Sequence, residues 1–246
     1  MKLIYLIYKA WLQQSRDILS LGILVLTTPV LFLMYYSLTN GESNSFLPIL
    51  ILLSVIMVVF SSSLVVAKEI ESKTIIRMLL AGIPYYLVIL GLCMVQFLLS
   101  ILSIVFTLFL FYKFDIYSFS ILTKIFYSAC LTSLCCIWIG ASIGSLAKNT
   151  LKAFSISSLI MFILLILSGA MFPIPQVEIT FSYYSQVNLF DFIPSLIFIK
   201  SIQSITSVNN NYLGLMVSNT INCLFYLFLA IAIFQFSNFK KVNDVP

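Results

Sequence analysis

The chain has 246 residues, of which 61% are apolar and 9% are charged, and its mean hydropathy is +1.12. Soluble globular proteins contain roughly 45–50% apolar and about 25% charged residues, so this composition excludes a soluble fold and indicates an integral membrane protein. The sequence contains no histidine, which is the commonest general base and metal ligand. We therefore expect neither a catalytic site nor a metal site.

Residues 1–17 precede the first long apolar run, and helical spacing predicts an amphipathic helix. One face is polar and basic, with Lys2, Tyr5, Lys9, Gln13 and Arg16. The other face is apolar, with Leu3, Ile4, Ile7 and Trp11. A helix of this kind lies in the membrane interface with its basic face towards lipid headgroups. The alternative is a water-exposed extension of the first span.

Two apolar runs follow, at residues 18–38 and 47–67. Each has the roughly 20 residues that a transmembrane helix needs. The second run contains three consecutive hydroxyl side chains, Ser61, Ser62 and Ser63. They either form a polar strip on a transport path or bond back to helix carbonyls and assist packing.

The next segment, residues 68–86, carries a dense block of charge. The charged residues are Lys68, Glu69, Glu71, Lys73 and Arg77. A short amphipathic helix is predicted here, and its apolar residues would be Ile76, Leu79, Leu80 and Ile83, at spacings of three and four. Glu69 and Lys73 would form an i,i+4 pair, and Gly82 and Pro84 would end the helix. The alternative is a solvated connector.

Three further apolar runs are predicted to span the membrane, at residues 87–112, 125–147 and 153–172. Within the middle one, Gly140 and Gly144 form a GxxxG pattern, which allows two helices to approach closely. We interpret this pattern as a packing surface. The five cysteines all lie inside apolar runs, where a thiol behaves as a small hydrophobe.

The segment at residues 173–214 is too apolar for a solvated loop. Pro194 stands where a first-turn proline would begin a helix, so short re-entrant helices are predicted before the last run, at residues 215–236. Such non-spanning backbone is tolerated at membrane depth when protein covers it. The polar residues 207–211 are predicted to form a turn. The six runs together predict an all-α membrane protein with six transmembrane helices in one domain, residues 1–246.

The basic residues predict the orientation of this domain. Ten of the thirteen lie on one side of the predicted topology, while Lys113, Lys124 and Lys200 lie on the other. By the positive-inside rule, both termini and residues 68–86 are cytoplasmic, and residues 173–214 are outside. Because this asymmetry accounts for the net charge of +5, nucleic acid is not an expected partner.

The chain carries no visible source of energy for transport. None of the six runs contains a charged residue, whereas ion-coupled transporters often place such residues near the bilayer midplane. No glycine is followed by lysine, so the phosphate-binding GxxxxGK[ST] loop is absent. If the protein moves a substrate uphill, another polypeptide must hydrolyse the ATP.

Several segments resemble one family of membrane proteins. Residues 68–80, Lys-Glu-Ile-Glu-Ser-Lys-Thr-Ile-Ile-Arg-Met-Leu-Leu, resemble the signature after the second span of type-2 ATP-binding-cassette (ABC) permeases. Residues 167–173, Leu-Ser-Gly-Ala-Met-Phe-Pro, resemble that family's fifth-span ending, and the segment through Pro194 resembles its re-entrant helices. The six-span layout agrees, so the resemblance covers essentially the whole chain. One departure is Lys73, because the family commonly has glycine directly before the threonine.

The resemblance implies a six-span exporter permease in the cell membrane, paired with a second permease subunit of the same or a homologous kind. In that family the segment after the second span is a coupling helix that docks on a cytoplasmic ABC ATPase. Carried over by position, the ATPase contacts are Lys68, Glu69, Glu71, Lys73, Thr74 and Arg77. The second and fifth spans line the family's path, which makes Ser61, Ser62 and Ser63 candidate path residues. No cofactor is expected in this chain, because ATP and Mg²⁺ bind to the partner.

An apolar path without charges favours an amphipathic or hydrophobic cargo, such as a peptide, a drug or a lipid, and the family implies outward movement. One alternative is a permease for a lipid-linked polysaccharide. Another is a non-transport anchor or sensor subunit whose amphipathic loop recruits a cytoplasmic regulator. The lack of histidine and the wealth of Ile, Phe and Lys are compatible with an AT-rich bacterial genome.

Overall fold

A computed structural model of the protein describes residues 2–15, 18–39, 47–170, 178–182, 185–188, 192–206 and 212–242. These residues form nine α-helices and two β-strands. The helices are α1 (Lys2–Ser15), α2 (Ile18–Thr39), α3 (Leu47–Glu71), α4 (Thr74–Leu80), α5 (Tyr85–Lys113), α6 (Phe119–Ala147), α7 (Thr150–Ile166), α8 (Pro194–Thr206) and α9 (Tyr212–Val242). The strands are β1 (Glu178–Ser182) and β2 (Ser185–Asn188).

Four of the described helices are long and apolar enough to cross a membrane. They are α3 over Pro48–Glu71, α5 over Tyr86–Lys113, α6 over Phe119–Ala147 and α9 over Tyr212–Phe236. The first and fifth predicted spans correspond to α2 and α7, whose described apolar helices are shorter, at Leu24–Leu38 and Thr150–Ile166. The protein is therefore a helical multi-pass membrane protein, and the number of six spans stays a prediction.

The helix α3 is central, because it contacts α2, α4, α5, α6, α7 and α8. Its closest neighbour is α6, and the two helices meet at Gly140 and Gly144. A Cβ atom added at Gly140 would overlap the Ser62 hydroxyl and the Val59 carbonyl oxygen. The two glycines thus let the backbones of α3 and α6 approach each other.

One large apolar cluster joins α2, α3, α5, α6, α7 and α8. Phe32, Phe111, Ile125 and Phe198 are completely buried in it, and the ring centroids of Phe32 and Phe111 are 4.9 Å apart. Because lipid tails are as apolar as these side chains, the stabilisation comes mainly from van der Waals packing rather than from removal of water.

Part of the segment predicted to contain re-entrant helices is instead a β-hairpin. The strands β1 and β2 pair antiparallel, from Glu178 opposite Asn188 to Ser182 opposite Ser185. The sequence predicted no strand here, and the other described elements are helical as predicted. Ile179, Thr180 and Phe181 are of the β-branched and aromatic types that favour strands, and a short local hairpin satisfies their backbone groups.

The other part of this segment is the helix α8, which begins at Pro194 as predicted. It packs against α3, α6 and α9. The Ser195 hydroxyl also donates to the Leu164 carbonyl oxygen of α7 at 2.7 Å. Nine of the thirteen residues of α8 are buried, so other helices enclose most of it. Its position relative to the membrane stays a prediction, and the predicted turn at residues 207–211 lies outside the described residues.

The last helix, α9, lies at the edge of the bundle. Only 22% of its most apolar window is buried, against 61% to 72% for the other three candidate spans. It is attached by polar contacts: Asn219 Nδ2 donates to Thr132 Oγ1 at 2.9 Å, and the Tyr226 hydroxyl donates to the Phe192 carbonyl oxygen at 2.9 Å. Most of its apolar surface is therefore available to lipid or to another protein.

Candidate coupling site

The charged segment, residues 68–86, contains the end of α3 and the separate helix α4, rather than the single short helix that was predicted. The helix α3 continues through Lys68 and Glu69 to Glu71, and α4 begins at Thr74. Between them, Lys73 has φ 56° and ψ 17°, a left-handed conformation. Because the chain leaves the helix at Lys73, the predicted i,i+4 pair of Glu69 and Lys73 on one helix is wrong.

The conformation of Lys73 explains why glycine is common at this place in the family that the segment resembles. The left-handed conformation costs most residues roughly 1–2 kcal/mol, whereas glycine adopts it without a Cβ penalty. The Lys73 amide still donates to the Ile70 carbonyl oxygen at 3.1 Å, which closes the end of α3. The chain thus turns at a residue that is less favourable in this conformation than glycine.

The predicted end of α4 is confirmed. Gly82 has φ 72°, and its amide donates to the Leu79 carbonyl oxygen at 2.9 Å. The Ile83 amide donates to the Met78 carbonyl oxygen at 3.1 Å. This pair of bonds with a left-handed glycine is the Schellman motif that ends many helices, and Pro84 follows it immediately before α5.

The two faces of α4 differ from the predicted ones. Ile75 is completely buried, and Met78, Leu79 and Ile83 pack beside it against α3 and α5. Ile76 and Leu80 are exposed, by 38% and 84%. The predicted stripe of Ile76, Leu79, Leu80 and Ile83 is therefore split, because Ile75, Met78 and Leu79 also have helical spacing and lie on the side that the bundle covers.

The six candidate contacts of this segment do not share one environment. Lys68, Glu71, Lys73 and Arg77 are exposed, and Thr74 is half-buried. The Thr74 hydroxyl lies 2.6 Å from that of Ser72. Glu69 is only 2% exposed, so its carboxylate is not on the surface of this chain. The predicted role of Glu69 as a surface contact has no support from this placement.

Glu71 forms a link that the sequence did not reveal. Its Oε2 atom accepts hydrogen bonds from the Thr150 amide at 3.0 Å and from the Thr150 hydroxyl at 2.8 Å. Thr150 is the first residue of α7, and the Asn149 side chain caps the same helix by accepting from the Leu151 amide. A carboxylate is favourable there, because the first amides of a helix lack intrahelical acceptors. Glu71 therefore joins the end of α3 to the start of α7.

The three serines of α3 face the rest of the bundle. The hydroxyls of Ser61, Ser62 and Ser63 donate to the carbonyl oxygens three residues earlier, at 3.3, 3.2 and 2.8 Å. Ser62 and Ser63 also lie against Gly140 and Gly144. This arrangement corresponds to the packing interpretation, and a role of the three hydroxyls on a transport path stays a prediction without support from these contacts.

The helix α1 lies beside the coupling segment and packs against α5. Leu6 is buried next to Gly91, where an added Cβ would lie 3.0 Å from the Leu6 Cβ. Gln96 Nε2 donates to Gln14 Oε1 at 3.4 Å. Tyr5, Tyr8, Trp11 and Leu12 are exposed and Lys9 is half-buried, so the exposed side chains that the structure describes on α1 are aromatic or apolar. Interfacial helices present such aromatic side chains at headgroup depth. The side chains of Lys2, Gln13 and Arg16, which were predicted on the basic face, lie outside the described residues.

Within the described residues, no cluster of three or more Cys, Asp or Glu side chains could hold a metal ion. A family model described as ABC-2 type transporter matches residues 1–197 of the 246. The match includes α1, the coupling segment and all helices through α7. No curated protein and no solved structure matches the chain.

Proposed function

The chain belongs to the ABC-2 type transporter family, and on that premise we propose that it is the permease subunit of an ATP-driven exporter. The family's membrane domain is a transport permease without an ATPase site of its own. ATP hydrolysis then takes place in a separate cytoplasmic ABC ATPase subunit, which binds the ATP and Mg²⁺. The single transmembrane domain, residues 1–246, lies in the cell membrane with both termini in the cytoplasm.

The exposed face of α4 carries the proposal of an ATPase partner. Leu80 is 84% exposed and Ile76 is 38% exposed. The cations Lys73, in the turn before α4, and Arg77, next to Ile76 on α4, are exposed as well. An apolar centre with a charged rim is the usual composition of a protein interface, and rim charges set register and partner choice. Lys68 and Thr74 extend this surface. Glu71 fixes the end of α3 beside the start of α7 through its hydrogen bonds from Thr150.

The proposed cargo is amphipathic or hydrophobic, such as a peptide, a drug or a lipid, and it moves out of the cytoplasm or the inner leaflet. The support is the absence of charged residues from the six apolar runs, since a charged path would be expected for small ions. A second permease subunit, the same or homologous, completes the path. It can only meet this chain on an outer surface, where the bundle exposes apolar side chains.

The test is to purify the tagged protein from its native membrane in mild detergent, identify the accompanying subunits and assay ATP hydrolysis. We expect a stoichiometric ATPase subunit. Leu80→Asp should reduce its recovery at least about tenfold, because a buried interface anchor is usually worth about 2 kcal/mol or more. The matched control is Leu151→Asp, since Leu151 is exposed at the start of α7 and outside the proposed interface.

The other outcomes identify the alternatives. A complex without ATP hydrolysis contradicts the exporter proposal and favours an anchor or sensor subunit that recruits a regulator. Reconstituted vesicles then separate the cargo classes: ATP hydrolysis stimulated only by a lipid-linked polysaccharide favours a glycan exporter. Equal recovery of the ATPase with Leu80→Asp and Leu151→Asp would show that α4 is not the docking surface.

A further inference from the structure

A small pocket lies where α1, α3, α4 and α5 meet. It is lined by Leu6, Lys9, Ala10, Glu69, Met78, Val88 and Leu92. The volume open to water is about 10 Å³, which is the space of a single water molecule. The lining is apolar except for one carboxylate and one ammonium group, and these two groups come from different helices.

One oxygen of the Glu69 carboxylate is buried without a hydrogen-bond partner among the described residues. This oxygen is Oε2, and Glu69 is only 2% exposed. An ionised carboxylate in such surroundings is strongly unfavourable unless an opposite charge or hydrogen-bond donors compensate it. The neighbouring charged residues Lys68 and Lys73 are exposed and are not among the pocket-lining residues.

Lys9 is the one cation among the seven lining residues. It is half-buried, and an ammonium on a flexible four-carbon stem can turn towards a nearby carboxylate. The single water that the pocket accommodates can bridge the two groups where they do not touch, and bridges of this kind are nearly as favourable as direct hydrogen bonds.

We propose that Lys9 and Glu69 form a charge pair, direct or through one water, that holds α1 onto the junction of α3 and α4. Glu69 stands four residues before Lys73, the turn that sets the direction of α4. The pair therefore makes the N-terminal helix part of the coupling segment. Lys9 is a positioning residue in this proposal, because it acts through Glu69.

The pair itself is independent of the proposed function, and only its consequence rests on it. If α4 docks on an ATPase, a movement of α4 would also move α1, because Glu69 and Lys9 link the two helices. The experiment is therefore done without ATPase or nucleotide. It measures hydrogen exchange of the α1 backbone amides in the full chain, reconstituted in lipid nanodiscs.

We expect Lys9→Met to speed exchange of the α1 amides by about tenfold, because it leaves a buried carboxylate uncompensated and favours opening of α1. The double variant Lys9→Met/Glu69→Gln should return close to the wild-type rate. The matched control is Lys152→Met, since Lys152 is exposed at the start of α7, and it should leave α1 unchanged.

Two outcomes would overturn the proposal. In the first, α1 amides exchange at the same rate in Lys9→Met as in Lys152→Met. In the second, the increase in exchange rate of the double variant equals the product of the increases of Lys9→Met and Glu69→Gln, which means that the two groups act independently. Should Lys9→Met fail to fold, Lys9→Arg and the charge swap Lys9→Glu/Glu69→Lys provide the test. A pair predicts near-normal exchange for Lys9→Arg and slower exchange for the swap than for Lys9→Glu alone.

Discussion

Three non-glycine residues in the described part of the chain have a positive φ: Lys73, Asp115 and Lys148. Each directly follows or nearly follows the end of a helix, α3, α5 or α6 respectively. A left-handed residue at this place turns the chain out of the helix and lets the last carbonyl oxygens find donors. Glycine would do this at lower cost, so each of the three positions is a small reservoir of strain.

The strain at Lys73 can be measured. We predict that Lys73→Gly stabilises the protein by about 1 kcal/mol. Glycine removes the steric penalty of a Cβ atom in the left-handed conformation, and this gain exceeds the entropy that glycine adds to the unfolded chain. Unfolding in detergent, followed by circular dichroism, gives the change. Lys68→Gly is the matched control: it lies inside α3, where glycine should destabilise by about 1 kcal/mol. Equal signs for the two variants would contradict the left-handed turn.

Glu69 and Glu71 show how far two neighbouring carboxylates can diverge. Both belong to the last turn of α3, yet one points into an apolar pocket and the other accepts two hydrogen bonds from Thr150. Sequence reasoning treated them as equivalent exposed charges. The pair Asn149-Thr150 is typical of a helix start, so the sequence could have predicted the beginning of α7. It could not have predicted that Glu71 is the carboxylate that binds there.

At the scale of elements, the contact of α3 with α6 organises the bundle. Gly140 and Gly144 lie on the same face of α6, one turn apart, and both meet the backbone of α3. A carbonyl oxygen cannot move aside as a flexible side chain can. The close packing of α3 against α6 therefore requires residues without a side chain at these two positions.

A substitution series measures this dependence. Gly144→Ala should destabilise the protein by about 1–3 kcal/mol, since its methyl group would overlap the Ser63 carbonyl oxygen and approach Val66. Gly22→Ala is the control, because nothing lies within 4 Å of an added Cβ there, and it should be neutral or stabilising by about 1 kcal/mol. Thermal unfolding in the same detergent compares them, and equal stabilities would argue against close packing of α3 and α6.

Element boundaries followed from the sequence where a local signal exists. Pro194 begins α8 and Gly82 ends α4, because proline lacks an amide hydrogen and glycine accepts a positive φ. The hairpin of β1 and β2 was missed, since its strands have four or five residues and carry too little periodicity to distinguish them from a short helix.

At the scale of the whole molecule, the orientation in the membrane rests on the asymmetry of the basic residues. Lys68, Lys73, Arg77, Lys148 and Lys152 gather at one end of the described bundle, around α4 and the turn between α6 and α7. The turn between α5 and α6 is at the opposite end of these helices. On the positive-inside rule, we propose that the first end is cytoplasmic.

This assignment gives a direct prediction. In a variant without the five native cysteines, Phe119→Cys should react with a membrane-impermeant maleimide in intact cells. Lys152→Cys should react only after the membrane is opened. Both side chains are exposed, and Lys152 lies outside the proposed ATPase contacts, so the comparison reports the side of the membrane. Labelling of Lys152→Cys alone in intact cells would reverse the proposed orientation.

The sequence by itself determined the class of protein, four helices that are long and apolar enough to span a membrane, the end of α4 and the beginning of α8, because hydropathy, run length, glycine and proline act locally along the chain. The tertiary structure alone decided which face of α4 is covered, that Glu69 is buried, and that Glu71 binds Thr150. Glu71 and Thr150 are 79 residues apart, and their contact exists only because α3 and α7 pack side by side. Periodicity defines the possible faces of a helix, but only the neighbouring helices select which face is buried.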